Sequence, residues 1–176
     1  VVLLLDCESC KSPDSWAAPI VKCLGQYGLR AGCSDEFSNL YNIREHYCHA
    51  VTAETLARKL GRSERIEQYD AYKLWAIAYS VEPAQRTQYL SSALLQLRES
   101  DLKTGSEYVK TLFAYLENGE HLEKTAQKLH IHRNTVVYRI EKMKERFEMN
   151  FDSPYCNFQN YIGCMLLELS HIENST

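Results

Sequence analysis

Two runs of helical periodicity separated by only three residues, Leu122 to Leu129 and Arg133 to about Phe147, limit what this chain can fold into more than any other feature. A helix that stops and restarts across so short a gap must change direction sharply, because neither run continues the other. Ala126 is small where a second helix has to cross closely, since a larger side chain would hold the two axes apart. His130 and Ile131 make the tight turn with an apolar anchor. His132 takes the N-cap position of the second helix, where its imidazole is a weaker cap than Ser or Asn. At about 100° per residue, Val136, Ile140, Met143 and Phe147 fall on one side and face Ala126, Leu129 and Ile131. Asn134, Tyr138 and Lys142 fall roughly opposite. Arg133 stands in the first turn, with Thr135 and Arg139 on one flank. This is a helix-turn-helix layout.

The same segment differs from the rest of the chain in charge. Residues 121–146 hold seven bases (Lys124, Lys128, Arg133, Arg139, Lys142, Lys144 and Arg146) against three acids (Glu123, Glu141 and Glu145). That is +4 on a chain whose total is −3, which leaves −7 elsewhere. A basic stripe on an acidic body is the electrostatic footprint expected where one element faces a polyanion. An exposed face of Asn, Tyr, Arg and Lys offers an amide for adenine edges, a guanidinium for guanine and cations for phosphate. Arg133, Asn134 and Tyr138 are expected to read bases. Thr135, Arg139, Lys142, Lys128 and the first helix's amino terminus near Lys124 are expected to contact phosphate, and His132 at the helix start completes the candidate set. A solvated amphipathic helix would explain the charge alone, but not the short helix, tight turn and Arg-Asn-Thr start together.

Around this segment the chain reads as helix-rich. Seven glycines and four prolines in 176 residues imply long uninterrupted elements, and 45% apolar with 24% charged residues is an ordinary globular composition. The amino-terminal part alternates short apolar runs with helical patterns. Strands are expected at Val1 to Leu5, Leu29 to Cys33 and Arg65 to Gln68. Helices are expected over Trp16 to Tyr27, Asn39 to Leu60 with Gly61 closing it, and Tyr72 to Ser80. Pro83 breaks the last of these, and Gln85 to Lys103 reads as a helical connector. From Gly105 onward no strand signal remains. One helix places Tyr108, Val109, Leu112, Phe113 and Leu116 on a single face, and the last helix repeats the pattern with Phe158, Tyr161, Ile162, Met165, Leu166 and Leu169. The expected organisation is α+β and helix-rich: a small α/β half-domain over 1–82, a connector over 83–104 and an all-α helix-turn-helix domain over 105–176.

The run Tyr115-Leu116-Glu117-Asn118-Gly119, then Thr125-Ala126 and Leu129, then His132-Arg133-Asn134-Thr135 and Tyr138-Arg139-Ile140 resembles the carboxy-terminal helix-turn-helix of one bacterial transcription factor family. This is the purine-catabolism and sugar-diacid regulator (PucR/CdaR-type) family, and the resemblance covers about residues 94–170. Residues 1 to about 81 resemble the second half of the family's degenerate GGDEF-like domain, with Gly32-Cys33-Ser34-Asp35-Glu36-Phe37 at its strand end. The resemblance implies a sequence-specific DNA-binding transcriptional regulator that responds to a small-molecule effector. It also implies a homodimer on double-stranded DNA, with the effector sensed upstream of Val1. The absence of an initiating Met, with only five apolar residues before Asp6, reads as an excised piece of a longer cytoplasmic protein without a membrane segment.

Other constellations are weaker. Cys33 and Ser34 stand where a nucleotide cyclase signature has two glycines, which removes the backbone approach to phosphate. Cys7-Glu8-Ser9-Cys10 has redox or zinc spacing and His46-Tyr47-Cys48-His49 offers further ligands, but one C-x-x-C without a second pair does not make a closed site. Seven cysteines, an odd number, read as free thiols. Trp16, Trp75 and most of the tyrosines read as core, Tyr138 excepted. No paired carboxylates, nucleophile triad or phosphate loop appears, so neither an enzyme nor a cofactor is expected. The alternative from another class is a nucleotide- or metal-binding regulatory domain whose helical appendage does not bind DNA.

Overall fold

A computed structural model describes residues 1–6 and 13–174, in two units, Val1–Ile77 and Ala78–Thr176. In the first unit, helix α1 (Pro13–Gln26) precedes strand β1 (Ala31–Cys33). A 3₁₀ turn at Leu40–Asn42 then leads into α2 (Ile43–Lys59), strand β2 (Ile66–Gln68), a second 3₁₀ turn (Tyr69–Tyr72) and α3 (Lys73–Ser80), whose last three residues belong to the second unit. The strands pair in parallel, Ala31 with Ile66 and Cys33 with Gln68, so α2 is the crossover that parallel pairing requires. Gly32 sets how closely that helix lies on the sheet: a Cβ there would stand 1.8 Å from the Ala50 carbonyl oxygen.

Buried Glu67 on β2 is matched by two donors, the Tyr72 hydroxyl at 2.7 Å and Arg30 Nη2 at 3.1 Å. Burial, and then the Glu67 carboxylate, push the Tyr72 phenol up to about 12. The strand expected at Val1 to Leu5 does not form, and these residues are exposed. Strand-like composition becomes a strand only where a neighbour pairs its backbone, and the sheet consists of β1 and β2.

The second unit is helical. A 3₁₀ segment (Pro83–Tyr89) leads into α4 (Ser92–Thr104), α5 (Tyr108–Glu117), α6 (Leu122–Leu129), α7 (Arg133–Phe147) and α8 (Pro154–Asn174). Helix α5 packs against each of α4, α6, α7 and α8. The core is built from fully buried Leu94 and Leu97 of α4, Leu112 of α5, Val136 and Met143 of α7, and Met165, Leu166 and Leu169 of α8.

Polar groups tie the edges to this core. Ser91 caps α4 by accepting from Leu94 N and donates to buried Asn160 at 2.8 Å. Buried Arg86 forks onto Glu173 of α8 at 2.6 and 3.3 Å. Asp101 of α4 accepts from the Tyr108 and Val109 amides, capping α5 from the preceding helix.

Two expectations about the core are corrected. Phe158 is more than half exposed although it shares the periodicity of α8. Most tyrosines lie at the surface or its margin, and Tyr72 is the buried one. A phenol oxygen needs a partner when buried, which Tyr72 finds in Glu67.

Candidate nucleic-acid interface

Four residues of the Tyr115-to-Gly119 run, Tyr115, Glu117, Asn118 and Gly119, shape the approach to α6. Tyr115 meets the Phe151 ring edge-on at 5.7 Å, and Glu117 pairs with Lys128. Asn118 Nδ2 donates to the Ala114 carbonyl at 2.7 Å. Gly119, at φ +62, lets the chain reverse while the Glu120 amide donates to Tyr115 O at 2.9 Å. In α6, Thr125 and Ala126 are buried, and the Thr125 hydroxyl donates to the His121 carbonyl.

The turn between the helices is built by three residues. His130 adopts the left-handed conformation at φ 55, ψ 40. Ile131 N donates to Ala126 O at 3.0 Å. His132 Nδ1 accepts from Asn134 N at 3.1 Å, so the imidazole does cap α7. Val136, Ile140, Met143 and Phe147 are all buried, the side of the helix opposite the candidate reading face.

That face is open. Asn134 and Tyr138 are exposed, Tyr138 by 58%. Among the described residues no hydrogen bond engages the side chains of Asn134, Thr135, Tyr138 or Lys124. The other basic candidates, Arg133, Lys142, Lys128 and Arg139, hold acidic partners. Arg133 Nε donates to Glu123 Oε1 at 2.6 Å across the turn. Lys142 pairs with Glu145 at 3.1 Å and lies 5.9 Å from the Tyr138 ring. Lys128 pairs with Glu117.

Arg139 is turned toward α5 rather than outward. Its Nη1 donates to Thr111 Oγ1 at 2.8 Å and its Nη2 to Glu107 Oε2 at 3.3 Å. The Glu123 carboxyl is held below the usual carboxylate range by its own backbone amide and then by Arg133. Asn134, Tyr138 and Lys142 thus share one side of α7, Arg133 stands in its first turn against Glu123, and Arg139 is set apart.

Sequence reasoning missed the acidic partners, Glu107, Glu117 and Glu123. The available signal was that Glu117 and Glu123 lie on helices next to base-bearing ones and Glu107 immediately precedes α5.

Cys7 and Cys10 lie outside the described residues. His46 and His49 stack instead on rings, His46 on Phe37 at 4.2 Å and His49 on Tyr69 at 4.1 Å. No three potential metal ligands converge among the described residues. Nor is any described helix long and apolar enough to cross a membrane.

A short helix, a left-handed turn and a longer helix whose amino-terminal face is open define a helix-turn-helix domain. Residues 108–165 match the family described as the PucR C-terminal helix-turn-helix domain, so the chain carries a domain of that type. The chain is 28% identical over 140 residues to the proline-responsive transcriptional activator PutR of Bacillus subtilis (strain 168), a match covering 78% of this chain and 34% of the relative. It is 24% identical over 157 residues to the purine catabolism regulatory protein of the same strain, covering 82% of this chain and 29% of that protein. An uncharacterised protein of that strain, YxkF, is 29% identical over 128 residues, 73% of this chain and 41% of YxkF. The chain therefore spans about a third of the length of the named regulators. No solved structure matches it.

Proposed function

We propose that this chain is part of a transcriptional regulator that binds double-stranded DNA in a sequence-specific way through α6 and α7. The observation that carries the reading is the open face at the start of α7, where no hydrogen bond engages the Asn134, Thr135 and Tyr138 side chains among the described residues and Arg133 stands in the first turn. Lys124, Lys128, His132, Arg139 and Lys142 complete the proposed contact set, with the lysines and Thr135 on phosphate.

The amino-terminal residues 1–82 are read as a partial GGDEF-like domain, supported by the parallel β1–α2–β2 unit, with 83–104 linking it to 105–176. The reading assigns the protein no catalytic chemistry and places it in the cytoplasm. Control by a small-molecule effector sensed outside the helix-turn-helix is part of it, since the relatives include a proline-responsive activator. Homodimerisation is expected because one such motif reads few base pairs, and two half-sites about 34 Å apart are the usual remedy.

The test is selection of a preferred duplex from a randomised pool. Asn134→Ala should lose about 1–3 kcal/mol of discrimination between bases at one position. Lys142→Ala should weaken binding to preferred and random duplexes alike and flatten the salt dependence. Failure of the wild-type chain to retain any duplex at low salt would sink the reading.

A further inference from the structure

Arg133 enters α7 with its guanidinium bound to the neighbouring helix by one nitrogen. Nε donates to Glu123 Oε1 at 2.6 Å, while neither terminal amine has a hydrogen-bond partner among the described residues. The distinction matters for recognition. Nη1 and Nη2 together form the end-on fork that matches the O6 and N7 acceptors of guanine in the major groove. A guanidinium held through Nε keeps that fork whole, whereas one held through a terminal amine would lose half of it.

Glu123 is the second residue of α6, so its carboxylate reaches Arg133 across the turn from the start of the neighbouring helix. A free arginine side chain loses rotamer freedom when it docks, and a partner that restricts it beforehand reduces that loss. The pair is open to solvent, with the two side chains 50% and 65% exposed. Such a pair contributes little to folding, so its effect belongs to binding.

We propose that Glu123 is a positioning residue for base reading: it holds the Arg133 guanidinium through Nε so that both terminal amines face a guanine edge. The inference rests on the DNA-binding reading above and deepens it by naming the base and the residue that aims its reader.

The test uses the whole chain with a duplex that it selects from a randomised pool and a shuffled duplex of the same composition. Glu123→Ala is expected to reduce the ratio of selected to shuffled binding about tenfold. It should leave affinity for the shuffled duplex equal or higher and abolish the preference for guanine at the position also lost in Arg133→Ala. Glu123→Gln, which keeps an acceptor oxygen, should retain most of the ratio. The double variant should be no worse than Arg133→Ala alone. Glu123→Asp keeps the charge but shortens the arm, and is expected to behave as Glu123→Ala does. It keeps the comparison decisive if the alanine variant melts early. An unchanged ratio in Glu123→Ala and Glu123→Asp, or additive losses in the double variant, overturns the positioning role while DNA binding stands. A wild-type chain that selects no duplex overturns the DNA-binding reading itself, and this inference with it.

Discussion

Arg139 shows how one side chain can belong to a recognition helix and serve its neighbour. Its side chain is only 19% exposed, and both terminal amines are engaged by α5. Thr111, fully buried, donates to the Glu107 carbonyl and accepts from Arg139, so removing the guanidinium leaves that hydroxyl oxygen without its donor. Arg139→Ala is therefore expected to destabilise the chain by about 1.5–3 kcal/mol, the range for a hydrogen bond to a charged group, in urea unfolding. A variant that unfolds like wild type but binds DNA weakly would show that Arg139 acts on DNA rather than on the packing of α5. His130 is a simpler case. It holds a left-handed conformation that glycine adopts freely, so His130→Gly should raise stability by about 0.5–1 kcal/mol, read as a higher urea midpoint. Glu107 adds a dependence on pH. Its hydrogen bond from Lys110, and after it Arg139, hold the carboxyl below the usual carboxylate range. A depressed folded value means that the contribution is complete above the ordinary range, near about pH 4, and fades as pH falls through the lower folded value. Glu107→Gln should flatten the loss of stability in that acid window, and an unchanged acid profile would count against the role.

At the scale of elements, what could be read from sequence depended on how local the cause was. The boundaries of α6 and α7 coincide with the expected ones because apolar spacing, a short turn and an N-cap all lie within 26 residues. The cap of α5 was not legible, since the acceptor is Asp101 on another helix and nothing at Glu107 marks it. Val1 to Leu5 and Phe158 failed for a related reason: periodicity shows which residues could share a face, whereas a partner decides whether that face is covered. Of the candidate site, the position of Asn134 and Tyr138 followed from helical angle alone. The inward turn of Arg139 did not, because it needs Thr111 and Glu107 from 28 and 32 residues earlier. Gly163 belongs to the same class. Nothing in its neighbourhood of sequence requires glycine, yet a Cβ there would stand 2.5 Å from Leu94 Cδ2 of α4. Gly163→Ala is expected to cost about 1–3 kcal/mol through overpacking. A thermal melt unchanged from wild type would show that Leu94 moves aside freely.

Over the molecule as a whole, the net charge of −3 conceals a basic segment, and the structure shows that segment to be largely neutralised from within. Of its seven cations, Lys128, Arg133, Arg139, Lys142 and Lys144 each pair with a carboxylate of the chain, Glu117, Glu123, Glu107, Glu145 and Glu141 in turn. Each pair contributes little energy at the surface. Their effect is on ion stoichiometry. A cation that meets DNA with a mobile anion or a bare charge allows the phosphates to shed a condensed ion, whereas one that must first leave a carboxylate exposes a new negative charge that takes a cation up again. The carboxylates act as counterions that are covalently attached and never leave. Binding through the three lysines proposed to contact phosphate, Lys124, Lys128 and Lys142, would ordinarily give a slope of about −3 in log affinity against log salt, and Lys124 alone, which has no acidic partner among the described residues, only about −1. A measured slope near the smaller value, steepening when Glu117 and Glu145 are replaced by glutamine, is the expected result. A slope near the larger value in the wild-type chain would show that the pairs dissolve without consequence. With tethered counterions, the grip on arbitrary DNA would vary less with the salinity of the cell than the count of basic residues suggests.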